Sequence, residues 1–383
     1  MNILRKWVGL GMTILTMAAL SGCTGLMSTP PDQETGATNK PQTVEEKAAT
    51  IVQKMTPEER VGQLMMVGIL GPTLDKDASW QLSQYPLGNI ILFDRNMENP
   101  AQVKELNQGL TKQIQDTTGV APFIAVDQEG GQVVRMRDQF PTIPSEAAIG
   151  QTGNPDAAKE EAIKTATALK DMGFTVNFAP VVDLGAGAER SYSSAPDTVV
   201  AFAKEAIAGY TSVGLWSSLK HFPGIGKVQT DPHIDGDSVT ASRDMLDQQD
   251  LRPFNELIKS MNHDNTFIMV SNVTFPALDP NLPACVSKPI MTDLLRNQYQ
   301  YKGLILSDDM EMGAMAKHYA FADMGVMAIK AGADMVLVCH DYGHERETYE
   351  GLLKEYKQNE EFRNLVDEKA TRIVRTKLQG VSV

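Results

Sequence analysis

From residue 63 onward, short apolar runs alternate with stretches whose apolar residues recur at helical spacing. The runs cover residues 63–69, 88–93, 122–126, 175–180, 216–220, 266–270, 303–306 and 333–338. Most are continuously apolar, as strands covered on both faces must be. Helical patterns fall between them, at 100–115, 155–172, 195–213, 242–261 and 288–297, and a further amphipathic helix is expected at 360–378. Asn99-Pro100 and Asn154-Pro155 place a capping side chain before a proline suited to a first helical turn. Eight strands in strict alternation with helices predict an α/β chain folded as a single (β/α)8 barrel. A doubly wound open sheet is the alternative, but it would usually carry an early glycine-rich phosphate turn. The chain has no such spacing, and Gly224-Ile225-Gly226-Lys227 lacks the remaining positions of a phosphate loop.

In a barrel of this kind, catalytic groups collect where the strands end. The polar residues fall there: Asp127-Gln128-Glu129 after the third run, Asp183 after the fourth, and Lys220-His221 at the end of the fifth. Asn272 follows the sixth, Ser307-Asp308-Asp309 the seventh and His340-Asp341 the eighth. His263 precedes a strand, at the opposite face, and reads as a solvated loop residue. The segment Lys220-His221-Phe222-Pro223-Gly224-Ile225-Gly226, followed by Asp231-Pro232-His233, stands out. A cation, two imidazoles and a carboxylate are costly to bury without partners. A glycine-rich loop carrying Asp-x-His fits an acid on a lid; a histidine that merely caps a turn is the plainer alternative.

The first residues add an export signal. Arg5 and Lys6 precede an apolar stretch, 8–20, that is short for a membrane span and ends in small residues. Leu20-Ser21-Gly22-Cys23 resembles a bacterial lipobox, which implies a signal peptide over 1–22 and lipid attachment at Cys23. Residues 23–44 read as a flexible tether and 45–383 as the folded domain. A net charge of −13 disfavours nucleic acid as a partner. Besides Cys23, Cys285 and Cys339 are expected to be buried free thiols.

The segments Asp127-Gln128-Glu129-Gly130-Gly131, Val176-Asn177-Phe178-Ala179-Pro180, Arg190-Ser191-Tyr192, Lys220-His221-Phe222-Pro223-Gly224, Asp231-Pro232-His233 and Ser307-Asp308-Asp309-Met310 occur in this order. Together they resemble glycoside hydrolase family 3, and in particular its bacterial β-N-acetylglucosaminidases. Leu92-Phe93-Asp94-Arg95-Asn96 fits the same pattern. The resemblance implies a retaining mechanism with Asp308 as nucleophile, and His233 as acid/base oriented by Asp231. It assigns sugar binding to Asp127, Arg135, Arg190, Lys220 and His221. Retention needs a carboxylate to form a glycosyl-enzyme and a proton donor for the leaving oxygen. A histidine can exchange that proton near neutral pH. Lys220 and Arg190 are expected to lower the pKa of Asp308. Asp309 is the other candidate nucleophile, Arg190 could instead lie at the surface, and Glu129 and Asp183 read as structural. The segment 310–315 reads as core or cleft wall. His318, His340 and His344 form no metal-ligand pattern, and neither a metal nor another cofactor is expected.

The sequence departs from that pattern at Ile225 and Asn272, where histidine is usual, at Pro232, where serine is usual, and at Gln132, where arginine is usual. These changes bear on substrate detail more than on reaction class. The expected activity is release of terminal β-GlcNAc from peptidoglycan-derived GlcNAc–MurNAc fragments by a monomer anchored to the bacterial membrane. A β-glucosidase-like enzyme, a GlcNAc phosphorylase, a non-catalytic sugar-binding lipoprotein and a metal-dependent hydrolase are the rivals.

Overall fold

The computed structural model describes residues 42–185, 187, 189–228 and 237–382. Eight parallel strands follow one another as β1 (Met65–Val67), β2 (Asn89–Leu92), β3 (Phe123–Val126), β4 (Val176–Asn177), β5 (Ser217–Phe222), β6 (Thr266–Val270), β7 (Ile305–Asp309) and β8 (Met335–Val338). Each pairs with the next in sequence, and β8 returns to β1 with Met65 opposite Val336. Bridges at Val176–Trp216 and Val181–Lys220 carry the ring across from β4 to β5. The sheet therefore closes as a barrel, and the open-sheet alternative is set aside. All eight predicted runs hold a strand. β4 covers only two residues of its run, Val176–Asn177, whereas β5 runs past Lys220 through His221 to Phe222.

Local sequence explains where the helices begin and end. Thr43 caps the first described helix, Val44–Lys54, by accepting from Glu46 N while its own N–H reaches the Glu46 carboxylate. Asn99 caps Pro100–Thr118, which stops at Gly119 with φ 73°. The continuous helix expected over 242–261 is instead two, Arg243–Gln248 and Leu251–Ser260. Pro253 lies four residues after Gln249, and a proline ring clashes with the carbonyl at that spacing. The helix expected over 288–297 is wound as a π-helix, Pro289–Gln298. A short hairpin that periodicity did not predict, Thr274–Phe275 with Asp279–Pro283, follows β6.

Every strand is buried, with Met65, Ile90, Ile124, Val176, Leu219, Ile268, Leu306 and Val336 all in the core. At the N-terminal mouth the rings of Trp216 and Phe267 each stand edge-on to Phe123, with centroids 5.1 Å away. Below them the last helix, Glu360–Gln379, turns the Lys377 ammonium inward onto Gln63 Oε1 and Gly88 O. His263 is partly exposed but also bound into the fold. Its Nε2 bonds Ile258 O at 2.7 Å, its Nδ1 accepts from Lys302 N at 3.1 Å, and its ring packs on Tyr301, so it ties two loops of this face together. Cys285 and Cys339 are buried free thiols. No helix among the described residues is long and apolar enough to cross a membrane.

Candidate active site

The C-terminal ends of the strands surround a cavity of about 330 Å³ lined by Asp127, Arg135, Arg190, Lys220, His221 and Asp308. Six of the eight proposed catalytic or sugar-binding residues thus face one space, although they span 182 positions between Asp127 and Asp308. Asp231 and His233 lie outside the described residues, as does Cys23.

Lys220 is the hub. Placed on β5 with its side chain 2% exposed, it reaches Asp127 Oδ1 at 2.7 Å and Glu129 Oε1 at 2.6 Å. Arg190 grips Glu129 with two bonds of 2.8 Å, from Nε to Oε2 and from Nη2 to Oε1. Arg135 reaches Asp127 Oδ2 at 3.5 Å and Asp94 at 3.3 Å. Opposite charges close together hold each other ionised. Burial pushes the Glu129 carboxyl up, but Lys220 and Arg190 outweigh it and bring it down to about 2. Asp127 is lowered for the same reason, burial being outweighed by Lys220 and then Arg135. Lys220 is raised, because Asp127 and Glu129 overcome its burial. The result is a fixed comb of anions and cations whose outer members, Asp127 and Arg135, are geared to bidentate hydrogen bonding with hydroxyl groups.

Asp183 organises the β5 loop. It accepts from His221 N at 3.2 Å and Ile225 N at 2.8 Å, and its Oδ2 meets His221 Nδ1 at 2.8 Å. The imidazole Nδ1 is thereby committed to Asp183. Gly224 and Gly226 serve close packing here: a Cβ at 226 would lie 1.9 Å from Leu184 O, and one at 224 would lie 2.9 Å from Asp250 Cβ. Lys227 pairs with the buried Asp250 below the loop.

Asp308, at the end of β7, has one oxygen fixed by Asp309 N at 2.9 Å. Its pKa is raised, which corrects the expectation that neighbouring cations would lower it. Burial dominates; His221, the Asp309 N–H and Lys220 pull downward without overcoming it, since Lys220 is already shared by two closer carboxylates and Arg190 is spent on Glu129. Asp309 is occupied: its Oδ2 lies 3.0 Å from His340 Nε2, and its Oδ1 accepts from Glu311 N at 3.0 Å. Asp309 is thus held at both carboxylate oxygens, whereas Asp308 is fixed at one.

Three residues outside the proposed catalytic and sugar-binding set also line the cavity: Asn272 and His340, both expected at strand ends, and Met312, from the segment expected as core or cleft wall. Asn272 donates from Nδ2 to Asp309 O at 2.7 Å. His340 bridges Arg95 and Asp309. Met312 forms part of the wall, and Met310 and Met315 are buried behind it. Among the described residues no three His, Cys, Asp or Glu side chains are placed to share a metal ion.

A model of the glycosyl hydrolase family 3 N terminal domain matches residues 56–376. The chain belongs to glycoside hydrolase family 3. Within that family it is 36% identical over 288 residues to a beta-hexosaminidase of Nitrosomonas eutropha, an alignment covering 72% of this chain and 80% of the relative. A beta-hexosaminidase of Alkalilimnicola ehrlichii is 34% identical over 291 residues, with 73% and 81% covered. Among solved structures, a family 3 beta-N-acetylglucosaminidase from Paenibacillus superposes with a TM-score of 0.79 at 32% identity over 86% of this chain, which spans 64% of that longer one. A beta-N-acetylhexosaminidase from Beutenbergia cavernae gives 0.77 at 27% identity, over 85% of this chain and 99% of its own.

Proposed function

We propose that this family 3 hydrolase is a retaining exo-β-N-acetylglucosaminidase. The observation that carries the mechanism is Asp308: a strand-end carboxylate with one oxygen held by a backbone N–H, facing a cavity whose other wall is the Asp127–Lys220–Glu129–Arg190 comb. The comb grips the sugar hydroxyls and sets the anomeric carbon over Asp308. Asp308 attacks that carbon, the glycosidic C–O bond breaks, and the leaving oxygen takes a proton from His233, which Asp231 orients. Water then attacks the glycosyl-enzyme, His233 takes its proton, and the ester bond to Asp308 breaks, releasing the sugar with retained configuration. The raised pKa of Asp308 fits a nucleophile that becomes a neutral ester. The roles of His233 and Asp231 rest on the motif Asp231-Pro232-His233.

The substrate is a terminal β-GlcNAc on a peptidoglycan-derived fragment. The motif Leu20-Ser21-Gly22-Cys23 after an apolar stretch supports this reading, since lipid attachment at Cys23 would hold the enzyme beside the cell wall. Hydrolysis of 4-nitrophenyl β-GlcNAc by the protein lacking residues 1–23 tests the activity. Turnover should fall by about 10³-fold or more in Asp308→Ala and be absent with the glucoside. Undiminished turnover in Asp308→Ala overturns the mechanism, and a product that forms only with added phosphate overturns hydrolysis in favour of phosphorolysis.

A further inference from the structure

The polar chain behind Asp308 has no part in the scheme above. We propose that His340 is a positioning residue: held by Arg95, it fixes the side chain of Asp309 and through it the carboxylate of Asp308. The inference rests on Asp308 being the nucleophile.

The chain of contacts starts in the loop after β2. Arg95 is tied to the backbone, Nε donating to Ile69 O at 2.9 Å and Nη2 to Cys339 O, with the Phe93 ring 4.7 Å from its guanidinium carbon. Its remaining nitrogen, Nη1, lies 2.9 Å from His340 Nδ1. A guanidinium donates and never accepts, so Nδ1 is the acceptor and the imidazole proton sits on Nε2. Nε2 faces Asp309 Oδ2 at 3.0 Å and donates to it. Arg95 therefore sets the tautomer that Asp309 needs. Phe93 braces the ring on one side at 4.8 Å between centroids, and the His340 backbone N–H is bound by Glu311 Oε2.

Asp309 is thus anchored at both oxygens, by β8 through His340 and by its own turn through Glu311 N. Two consequences follow for Asp308. The Asp309 N–H is aimed at Asp308 Oδ1, which leaves Oδ2 at a defined place for in-line attack. The charge of Asp309, which otherwise opposes ionisation of Asp308, is drawn toward a hydrogen-bond donor at the rim. Residues 245 positions apart, Arg95 and His340, hold one catalytic oxygen in register.

Covalent trapping of the enzyme by a 5-fluoro-GlcNAc fluoride reads attack by Asp308 directly. Glutamine at 340 offers an acceptor and a donor spaced as in the neutral ring; asparagine, one bond shorter, reaches Arg95 but not Asp309. With rates normalised to the folded fraction, the trapping rate constant is expected to fall about tenfold in His340→Asn and to stay within about threefold of wild type in His340→Gln. The saturation constant should not move in either, since Asp127, Lys220 and Arg190 still hold the sugar. A wild-type rate in His340→Asn, or equal losses in both variants, overturns the positioning role. Asp308→Ala separates the two readings: trapping that survives in it overturns the nucleophile and this inference together, whereas its loss beside a wild-type His340→Asn overturns only the role of His340.

Discussion

At the scale of single residues, two buried carboxylates of this barrel behave oppositely. Glu129 is lowered to about 2 by Lys220 and Arg190 against its burial, whereas Glu146, buried with one backbone donor, Val181 N, is raised. A depressed carboxyl adds stability above its unfolded pKa, and that contribution is lost as pH falls from about 4.5 toward about 2. Glu129→Gln leaves a buried lysine and an arginine short of a partner, so it should cost roughly 3–5 kcal/mol at neutral pH. Glu146 runs the other way: a raised carboxyl subtracts stability once pH exceeds its unfolded value. Glu146→Gln should match or exceed the wild-type melting temperature at pH 7, with the advantage vanishing in acid. Thermal melts of the two variants from about pH 2 to pH 8 check both signs. The residue types of Asp127, Lys220 and Asp308 were legible because charged groups at the ends of apolar runs demand an explanation. The links from Arg95 to His340 and from Asn272 to Asp309 were not, because each joins positions far apart in sequence through contacts that only closure of the barrel creates.

At the scale of elements, apolar runs located every strand, since a strand covered on both faces has no polar side to obscure it. Their ends were less legible. β5 extends past the expected end at Lys220 through His221 to Phe222, and it can carry both polar residues because Asp127, Glu129 and Asp183 give them partners. Helix 242–261 split because a proline overrides amphipathic spacing. The glycines after β5 suggested a hinge, but Gly226 is needed for close approach to Leu184. Gly226→Ala should displace the loop that carries Ile225 over the cavity, destabilising the fold by about 1–3 kcal/mol, as overpacking does, and lowering kcat several-fold. A melt together with steady-state kinetics measures both, and an unchanged kcat would show that the loop's path is unimportant to turnover.

At the scale of the whole molecule, the two ends of the barrel are specialised in opposite ways. The upper rim concentrates ion pairs that hold charges in place. The lower end buries cations at a cost: Lys377 is lowered to about 7 by burial, and Lys369 to about 8 by burial and the repulsion of Arg296 and Arg372, against the pull of Asp334. An unfolded lysine titrates near 10.4. Between about pH 7 and that value the unfolded chain binds more protons than the folded one, so stability should rise with pH. Denaturant titrations from pH 7 to pH 9 should show that rise, and Lys377→Met should flatten it; an unchanged slope would mean the ammonium stays charged in the native state.

The last helix has one more consequence. It supplies Arg372 to the buried Asp334, Lys377 to the barrel floor and, just beyond it, Ser382 to Asn265. Asp334 in turn receives Ile305 N at the start of β7. During synthesis on a ribosome, β1 to β6 can emerge and pair while their floor still lacks these groups. Residues 372–382 therefore act as a keystone that follows the strands they complete, and a nascent chain that has not yet reached them exposes the aromatic mouth of Phe123, Trp216 and Phe267 to chaperones.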